Sequence, residues 1–250
     1  MGVMEKFKLQ GKVALVTGAG RNLGKGVAIS LAEAGADVAV TSRTLSEIKR
    51  TEREIKEKGQ RALAIRMDVT DFNQVKRAVQ KIISEFGRID ILVNNAATRS
   101  FKSLLEISER EWRSVIDTNL TGAFFCCKVV GPFMIRQGGG KIINISSRIG
   151  LQGMANRFAY CASKGGLIQL TRAFAIEWAP HNILINSVAP GLMNTPEASK
   201  AIREGKTIEI PLKRAGEPEE IVPLIVYLAS DACTYMTGEV ILIDGGWAIQ

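Results

Sequence analysis

The chain reads as an α/β protein built on one doubly wound parallel sheet of about seven strands, with helices on both faces. Three observations predict this. Short apolar, β-branched runs alternate with longer segments of helical period from one end of the chain to the other. No proline-rich or serine-rich linker, low-complexity tract or internal repeat divides them, so residues 1–250 are expected to form one domain. A glycine-rich stretch, "TGAGRNLG", follows the first apolar run directly, where such a fold makes its first strand-to-helix turn.

Each element has its own signal. "KVALVT" predicts a strand over 12–17, and further β-branched runs predict strands near 37–42, 61–66, 89–93, 141–145, 182–188 and 238–243. Helices fill the intervals. Three carry start signals: Asp71 after "DVT", Ser108 before "EREW", and Glu217-Pro218 before "EEIVPLIVYLAS", where proline suits the first turn. The longest segment without a clear period runs from Gly191 to about Pro211, and its length suits a lid over a ligand.

Bulk properties exclude several functions. With 46% hydrophobic and 23% charged residues the composition is that of an ordinary globular protein. No run approaches the roughly 18 to 20 uninterrupted apolar residues of a membrane span, and "MGVMEKFKLQGK" lacks a signal peptide's apolar segment. A cytoplasmic location without a membrane partner is expected. Cys126 and Cys127 are adjacent while Cys161 and Cys233 stand alone, which suits reduced thiols. With His181 the one histidine and no cysteine pair at ligand spacing, a metal site has no material. The net charge of +8 is concentrated mid-chain, where Lys128, Arg136, Lys141, Arg148, Arg157, Lys164 and Arg172 face a single acid, Glu177. These bases are singly placed and not interleaved with aromatics, so no nucleic-acid partner is expected.

In the usual dinucleotide fingerprint a third glycine would follow Gly18 and Gly20 at position 23, but Leu23 stands there and the glycine comes at Gly24. Glycines permit positive φ and let backbone N–H groups approach phosphates, while the following helix adds a favourable dipole. An NAD site would place an acid at the end of the second strand; this chain reads "VAVTSRT", with Thr41, Ser42 and Arg43. Ser42 and Arg43 can donate to a 2′-phosphate, and Arg21 can reach the same side. NADP(H) is favoured over NAD(H).

In "YCASK", Tyr160 and Lys164 are four residues apart and share a helix face. A phenol, with a pKa of about 10, exchanges protons poorly near neutrality, and a neighbouring ammonium stabilises the phenolate. "INISSRIG" puts Ser146 and Ser147 just past a strand's carboxyl end, and "NNAAT" does the same for Asn94 and Asn95. These groups converge on one edge of the sheet.

From about Lys8 to Gly246 the chain resembles the short-chain dehydrogenase/reductase family, whose further motifs match "DVT" at Asp68, "DTNLTG" at Asn119, "NSVAPGLMNT" and "DGG" at Asp244. The resemblance implies a Rossmann-type fold and an oxidoreductase that interconverts a ketone and a secondary alcohol. The family's Gly-x-x-x-Gly-x-Gly pattern falls on Gly18, Asn22 and Gly24, with asparagine, which tolerates a left-handed backbone, replacing the middle glycine. Ala97 stands where the family usually has glycine.

Carried over residue by residue, the resemblance makes Tyr160 the proton-exchanging group and Lys164 its support, which also holds the nicotinamide ribose. Ser147, thirteen residues before Tyr160, polarises the substrate oxygen, leaving Ser146 as a strand-end support. Asn119 holds a water of a proton relay. Gly18, Arg21, Asn22, Leu23 and Gly24 meet the pyrophosphate, and Ser42 with Arg43 the 2′-phosphate. Asp68 and Val69 lie near adenine, Asn94 and Ala96 along the ribose, and Pro190, Gly191 and Thr195 complete the cofactor contacts at the nicotinamide side. Relatives are mostly homotetramers that pair the helices around 109–135 and 158–178.

The substrate side is less defined. "FKLQGKVALVTG" and "GADVAVTSR" resemble gluconate 5-dehydrogenase relatives, whereas the two arginine places of 3-oxoacyl-acyl-carrier-protein reductases hold His181 and Gly138. Arg99, Arg148 and Arg157 around the catalytic segment suggest positive charge at the pocket mouth and an anionic or polyhydroxy small-molecule carbonyl or alcohol as substrate. Two alternatives stay open: a 3-oxoacyl-acyl-carrier-protein reductase, and a non-catalytic NADP(H)-binding sensor or scaffold. Members of the latter kind commonly lack the tyrosine or lysine, and both are present here.

Overall fold

The computed structural model describes residues 2–249, apart from the side chains at 197, 200, 201 and 206. Its strands are β1 (Val13–Thr17), β2 (Asp37–Ser42), β3 (Ala62–Arg66), β4 (Ile91–Asn94), β5 (Gly140–Ile145), β6 (Ile183–Pro190) and β7 (Val240–Ile243). They form one sheet in the order β3-β2-β1-β4-β5-β6-β7. Every pairing is parallel. The helices are α1 (Asn22–Glu33), α2 (Leu45–Glu57), α3 (Phe72–Phe86), α4 (Glu109–Ile116), α5 (Gly122–Gln137), α6 (Phe158–Trp178), α7 (Ser199–Arg203) and α8 (Val222–Ala229).

The strands are apolar on both faces because both faces are covered. Ala14 and Val16 of β1 join Val38, Val40, Ile91 and Val93 in a cluster with α1, α2 and α8. Their neighbours Val13 and Leu15 point the other way, into a cluster with Leu92, Ile142 and Ile185 against α3 and α5. All seven expected strands form within two residues of their expected ends.

The helix starts also form where their signals stand. Asp71 accepts from the Gln74 N–H at 3.0 Å to begin α3. Ser108 and Glu111 make a reciprocal capping box for α4, and Glu217 and Glu220 do the same for the short turn Pro218–Glu220 ahead of α8. Between α4 and α5 the expectation was incomplete. A π turn, Asp117–Thr121, fuses the two into a continuous helix of 29 residues. By length and composition that helix could cross a membrane; Asp117 and Lys128 interrupt it, and Cys126, Cys127, Val130 and Met134 bury its apolar face in the core. The segment after Gly191 holds the turn Pro196–Ala198, α7 and the turn Lys206–Glu209, each too short to show a period in sequence.

Candidate active site

β1 is paired with β2 on one side and β4 on the other, and the connections leaving β1 and β4 diverge. The divergence opens a crevice at their carboxyl ends. The Thr17 hydroxyl accepts from the N–H groups of Asn95 (3.0 Å) and Ala96 (3.1 Å) and donates to the Val93 carbonyl. The Asn95 amide donates back to the carbonyls of Thr17 (2.9 Å) and Gly18 (3.1 Å). The glycine loop is thus latched to the end of β4. Gly18 has φ +66°, and a Cβ there would lie 2.8 Å from the Ala96 Cα. At Gly24 a Cβ would run into the Asn95 amide and the Gly18 carbonyl. Asn22 has φ 47°, the left-handed backbone its replacement of a glycine called for. Arg21 precedes it, extended and exposed, and Leu23 packs on the core.

Ala19 N–H donates to the Thr41 carbonyl at 3.1 Å, so the end of β2 borders the loop. The Ser42 hydroxyl is engaged in a local turn with Thr44, accepting from its N–H (3.1 Å) and donating to its carbonyl (3.0 Å). Arg43 is exposed and, among the described residues, makes no side-chain hydrogen bond or ion pair. Asp68 is oriented by Thr70, and Val69 is buried against Gly122. Asn94 donates to the Asn144 Oδ1 at 2.8 Å and to the Cys127 Sγ, while its own Oδ1 is buried without a partner among the described residues. Gly191 N–H donates to the Ile243 carbonyl at 2.8 Å after Pro190 ends β6, and Thr195 stands extended before the turn Pro196–Ala198. A cradle that a Cβ would fill, an arginine without a partner and no acid at the end of β2 together fit a phosphorylated dinucleotide.

α6 sets Tyr160 and Lys164 one turn apart. Tyr160 is 8% exposed, and its hydroxyl has no hydrogen bond among the described residues. The Lys164 Nζ donates to the Ile145 carbonyl at 2.6 Å and lies 5.5 Å from the Tyr160 ring centroid. Burial lowers the pKa of this ammonium; Tyr160 opposes the shift and Arg99 adds to it. An ammonium has three protons, so Lys164 keeps donors for a ligand. Ser147 is extended and partly exposed, with its hydroxyl unbonded among the described residues. Ser146 is its opposite: it donates to the Val188 carbonyl (3.1 Å), accepts from Ser187 (2.6 Å) and is buried.

Asn119 lies in the π turn, a feature frequent at functional sites. Its Oδ1 accepts from the Thr98 N–H (2.8 Å), and its amide donates to the Thr98 carbonyl (3.0 Å) and the Ser163 hydroxyl (3.0 Å). Both amide protons are used, so a water held here would meet an oxygen.

On the substrate side the Arg99 guanidinium lies over the Tyr160 ring, 5.6 Å from its centroid. Beside it is a cavity of about 350 Å³ lined by Thr98, Arg99, Phe101, Lys102, Glu111 and Val115 among others. Lys102, 2.7 Å away, and the Ser108 cap hold the Glu111 carboxyl down to about 2. Arg157 stacks on Phe101 at 4.3 Å. Arg148 corrects the expectation. It is buried rather than at a pocket mouth, bonded to Gln152 (2.8 Å) and stacked 3.4 Å from the Trp247 centroid, because the C-terminal turn folds over it. Burial pushes the Cys127 thiol up to about 12 and raises that of Cys126, which keeps both protonated.

Sequence reasoning missed the Thr17–Asn95 latch and the buried chain Asn94–Asn144–Thr171. The signal for the second was Asn144, a polar residue inside the apolar strand "KIINI".

Residues 18–248 match the family model described as enoyl-(acyl carrier protein) reductase. The chain is 40% identical over 246 residues to the 3-oxoacyl-[acyl-carrier-protein] reductase of Thermotoga maritima, covering 97% of this chain and 100% of that one. It is also 40% identical over 251 residues to the 2-dehydro-3-deoxy-D-gluconate 5-dehydrogenase of Dickeya dadantii, covering 98% of each. Among solved structures, a gluconate 5-dehydrogenase from Burkholderia cenocepacia in complex with NADP and tartrate matches with a TM-score of 0.95 at 31% identity, over 100% of both chains. With the sheet order, the glycine cradle and the Tyr160–Lys164 pair in place, these matches show that the chain belongs to the short-chain dehydrogenase/reductase family of oxidoreductases.

Proposed function

We propose that this protein is an NADP(H)-dependent oxidoreductase that interconverts a ketone and a secondary alcohol on a small molecule. The observation that carries the reading is the Tyr160 hydroxyl, buried, without a hydrogen-bond partner among the described residues and one helical turn from a buried lysine, with the Ser147 hydroxyl likewise unbonded among those residues. NADP(H), when bound, supplies or takes the hydride. Tyr160 gives its proton to the substrate oxygen on reduction and takes it back on oxidation. Lys164 stabilises the phenolate by its charge and offers its remaining donors to the ribose. Ser147 donates to the same substrate oxygen, and Arg99 faces the rest of the substrate. Asn119 ties the connection after β4 to α6 and holds a water of the proton relay.

The cofactor is held by Gly18, Arg21, Asn22, Leu23 and Gly24 at the pyrophosphate and by Arg43, with Ser42, at the 2′-phosphate. Asp68 and Val69 border the adenine, Asn94 and Ala96 the ribose, and Pro190, Gly191 and Thr195 the nicotinamide. Support comes from the absence of an acid at the end of β2 and from the relative that is described in complex with NADP. The relatives named for gluconate chemistry favour a sugar acid or polyol. A second reading, 3-oxoacyl-acyl-carrier-protein reduction, is favoured by the identity to the Thermotoga maritima enzyme. The reading includes a cytoplasmic homotetramer paired through α4, α5 and α6, whose exposed Trp112, Ile135 and Ile176 suit an interface. It includes no metal, nucleic acid or membrane.

Consumption of NADPH or NADH, measured with small ketones, keto sugar acids and a 3-oxoacyl carrier protein, tests it. NADPH-dependent turnover should vanish in Tyr160→Phe while NADPH binding persists. A folded protein that binds NADPH and reduces nothing would leave a sensor or scaffold instead.

A further inference from the structure

Among the described residues, no acid answers two guanidiniums that lie near the reacting groups. Arg99 lies 5.6 Å from the Tyr160 ring centroid, and Arg157, the residue before α6 and three before Tyr160, lies 4.3 Å from that of Phe101. Among the described residues neither makes a side-chain hydrogen bond or ion pair. Arg61 shows the ordinary arrangement: it too lies on a ring, Phe86 at 4.7 Å, but it is matched by Glu85 (3.1 Å) and Asp37 (3.9 Å). The acid in the wall of the cavity that Arg99 and Phe101 line, Glu111, is already taken by Lys102 and Ser108.

The surroundings make the mismatch costly at Arg157, whereas Arg99 is exposed. Arg157 is partly buried; that burial and the Arg99 charge disfavour its cationic form, opposed less strongly by Tyr160 and Cys161. The partly buried Arg157, with the like charge of Arg99 near it, gains when an anion joins them, and a guanidinium fork fits a carboxylate better than any other side chain does. Each guanidinium rests against a ring, and that contact limits the entropy lost when a carboxylate docks.

We propose that Arg99 and Arg157 form an anion-recognition pair that holds the carboxylate of a hydroxy or keto acid while its reacting carbon faces Tyr160. This rests on the oxidoreductase reading for the second half of the statement only; the anion site stands on the two arginines. Uncharged polyols and ketones of the same size are then poor ligands.

Calorimetric titration of the protein saturated with NADP⁺ tests the pair, using tartrate against threitol and gluconate against sorbitol, each couple differing in carboxylate for alcohol. In wild type each acid should bind at least about tenfold more tightly than its alcohol, with Arg99→Gln and Arg157→Gln each erasing about tenfold of that preference. Arg99→Lys and Arg157→Lys keep the charge without the fork and should retain part of it. NADPH titration of every sample reports folding and the cradle independently. No preference for the acid in either couple, or a preference intact in both glutamine variants, overturns the proposal. Tyr160→Phe separates it from the proposed activity: an acid preference retained there upholds the anion site even if no substrate is ever turned over, whereas ketone reduction without that preference leaves the oxidoreductase standing and the anion site refuted.

Discussion

Apart from Arg43, unbonded among the described residues at the cofactor end, and Asn119, fully bonded at the chemical end, the two ends of the crevice use their polar side chains in opposite ways. At the cofactor end Thr17 and Asn95 are bonded to the backbone of β1, β4 and the glycine loop, and Thr51 donates to the Ala19 carbonyl at 3.0 Å. At the chemical end the hydroxyls of Tyr160 and Ser147 and the guanidiniums of Arg99 and Arg157 have no hydrogen-bond or ion-pair partner among the described residues, and Lys164 has one carbonyl. The contrast separates shaping from reacting. Groups that shape a ligand site are satisfied internally and rigidify it, whereas groups that react or select are left for the ligand to satisfy.

Adjacent serines offer the largest contrast. Ser147→Ala removes a donor to the developing charge on the substrate oxygen and should lower kcat about 100- to 1,000-fold, with thermal stability unchanged. Ser146→Ala removes bonds to Ser187 and Val188 inside the sheet and should cost about 1–2 kcal/mol of stability in denaturant unfolding, with little change in the chemical step. Exchange of the two phenotypes would break the division between the ends.

Gly24→Ala tests the closed end directly. Its Cβ has no room beside the Asn95 amide and the Gly18 carbonyl, so the latch must open or the loop must move. NADPH affinity, read by fluorescence titration, should fall about 100-fold, since overpacking costs about 1–3 kcal/mol. Wild-type affinity would show that the latch gives way freely.

Lys164 connects the ends and gives a pH signature. Burial lowers its pKa below the unfolded value of about 10.4, so between the two values the unfolded chain binds more protons. The burial penalty is therefore complete below the folded pKa and is relieved as pH rises toward the unfolded one. Lys164 thus makes the slope of stability against alkaline pH more positive, while the buried Cys126 and Cys127 thiols, raised by burial, pull it the other way, so Lys164→Met should make the slope less positive. Equal slopes in chemical denaturation between pH 8 and 10 would mean that Lys164 is not desolvated.

The same contrast explains what could be read from sequence. Periodicity fixes strands and helices, and Asp71, Ser108 and Glu217 mark helix starts by local chemistry, so these were legible. Tyr160 and Lys164 were legible because one helix carries both. The Thr17–Asn95 latch was not, since its partners are 78 residues apart and only the parallel pairing of β1 with β4 brings them together. Arg148 misled because charge suggests a surface, and the residue that buries it, Trp247, comes from the far end of the chain. The π turn escaped because no residue type marks an i+5 bond.

Asn22 gives the smallest and most discriminating effect. Its φ of 47° is a conformation that asparagine adopts at modest cost, glycine at none and β-branched residues only with strain. Asn22→Gly relieves that cost but adds freedom to the unfolded chain, so stability should change by less than about 0.5 kcal/mol and NADPH affinity by less than about threefold. Asn22→Val should instead cost about 1–2 kcal/mol, because nothing in a side chain branched at Cβ suits this backbone. If valine were tolerated as well as glycine, the loop would be soft at this position, and the rigidity assigned to the cofactor end would reside in the latch alone.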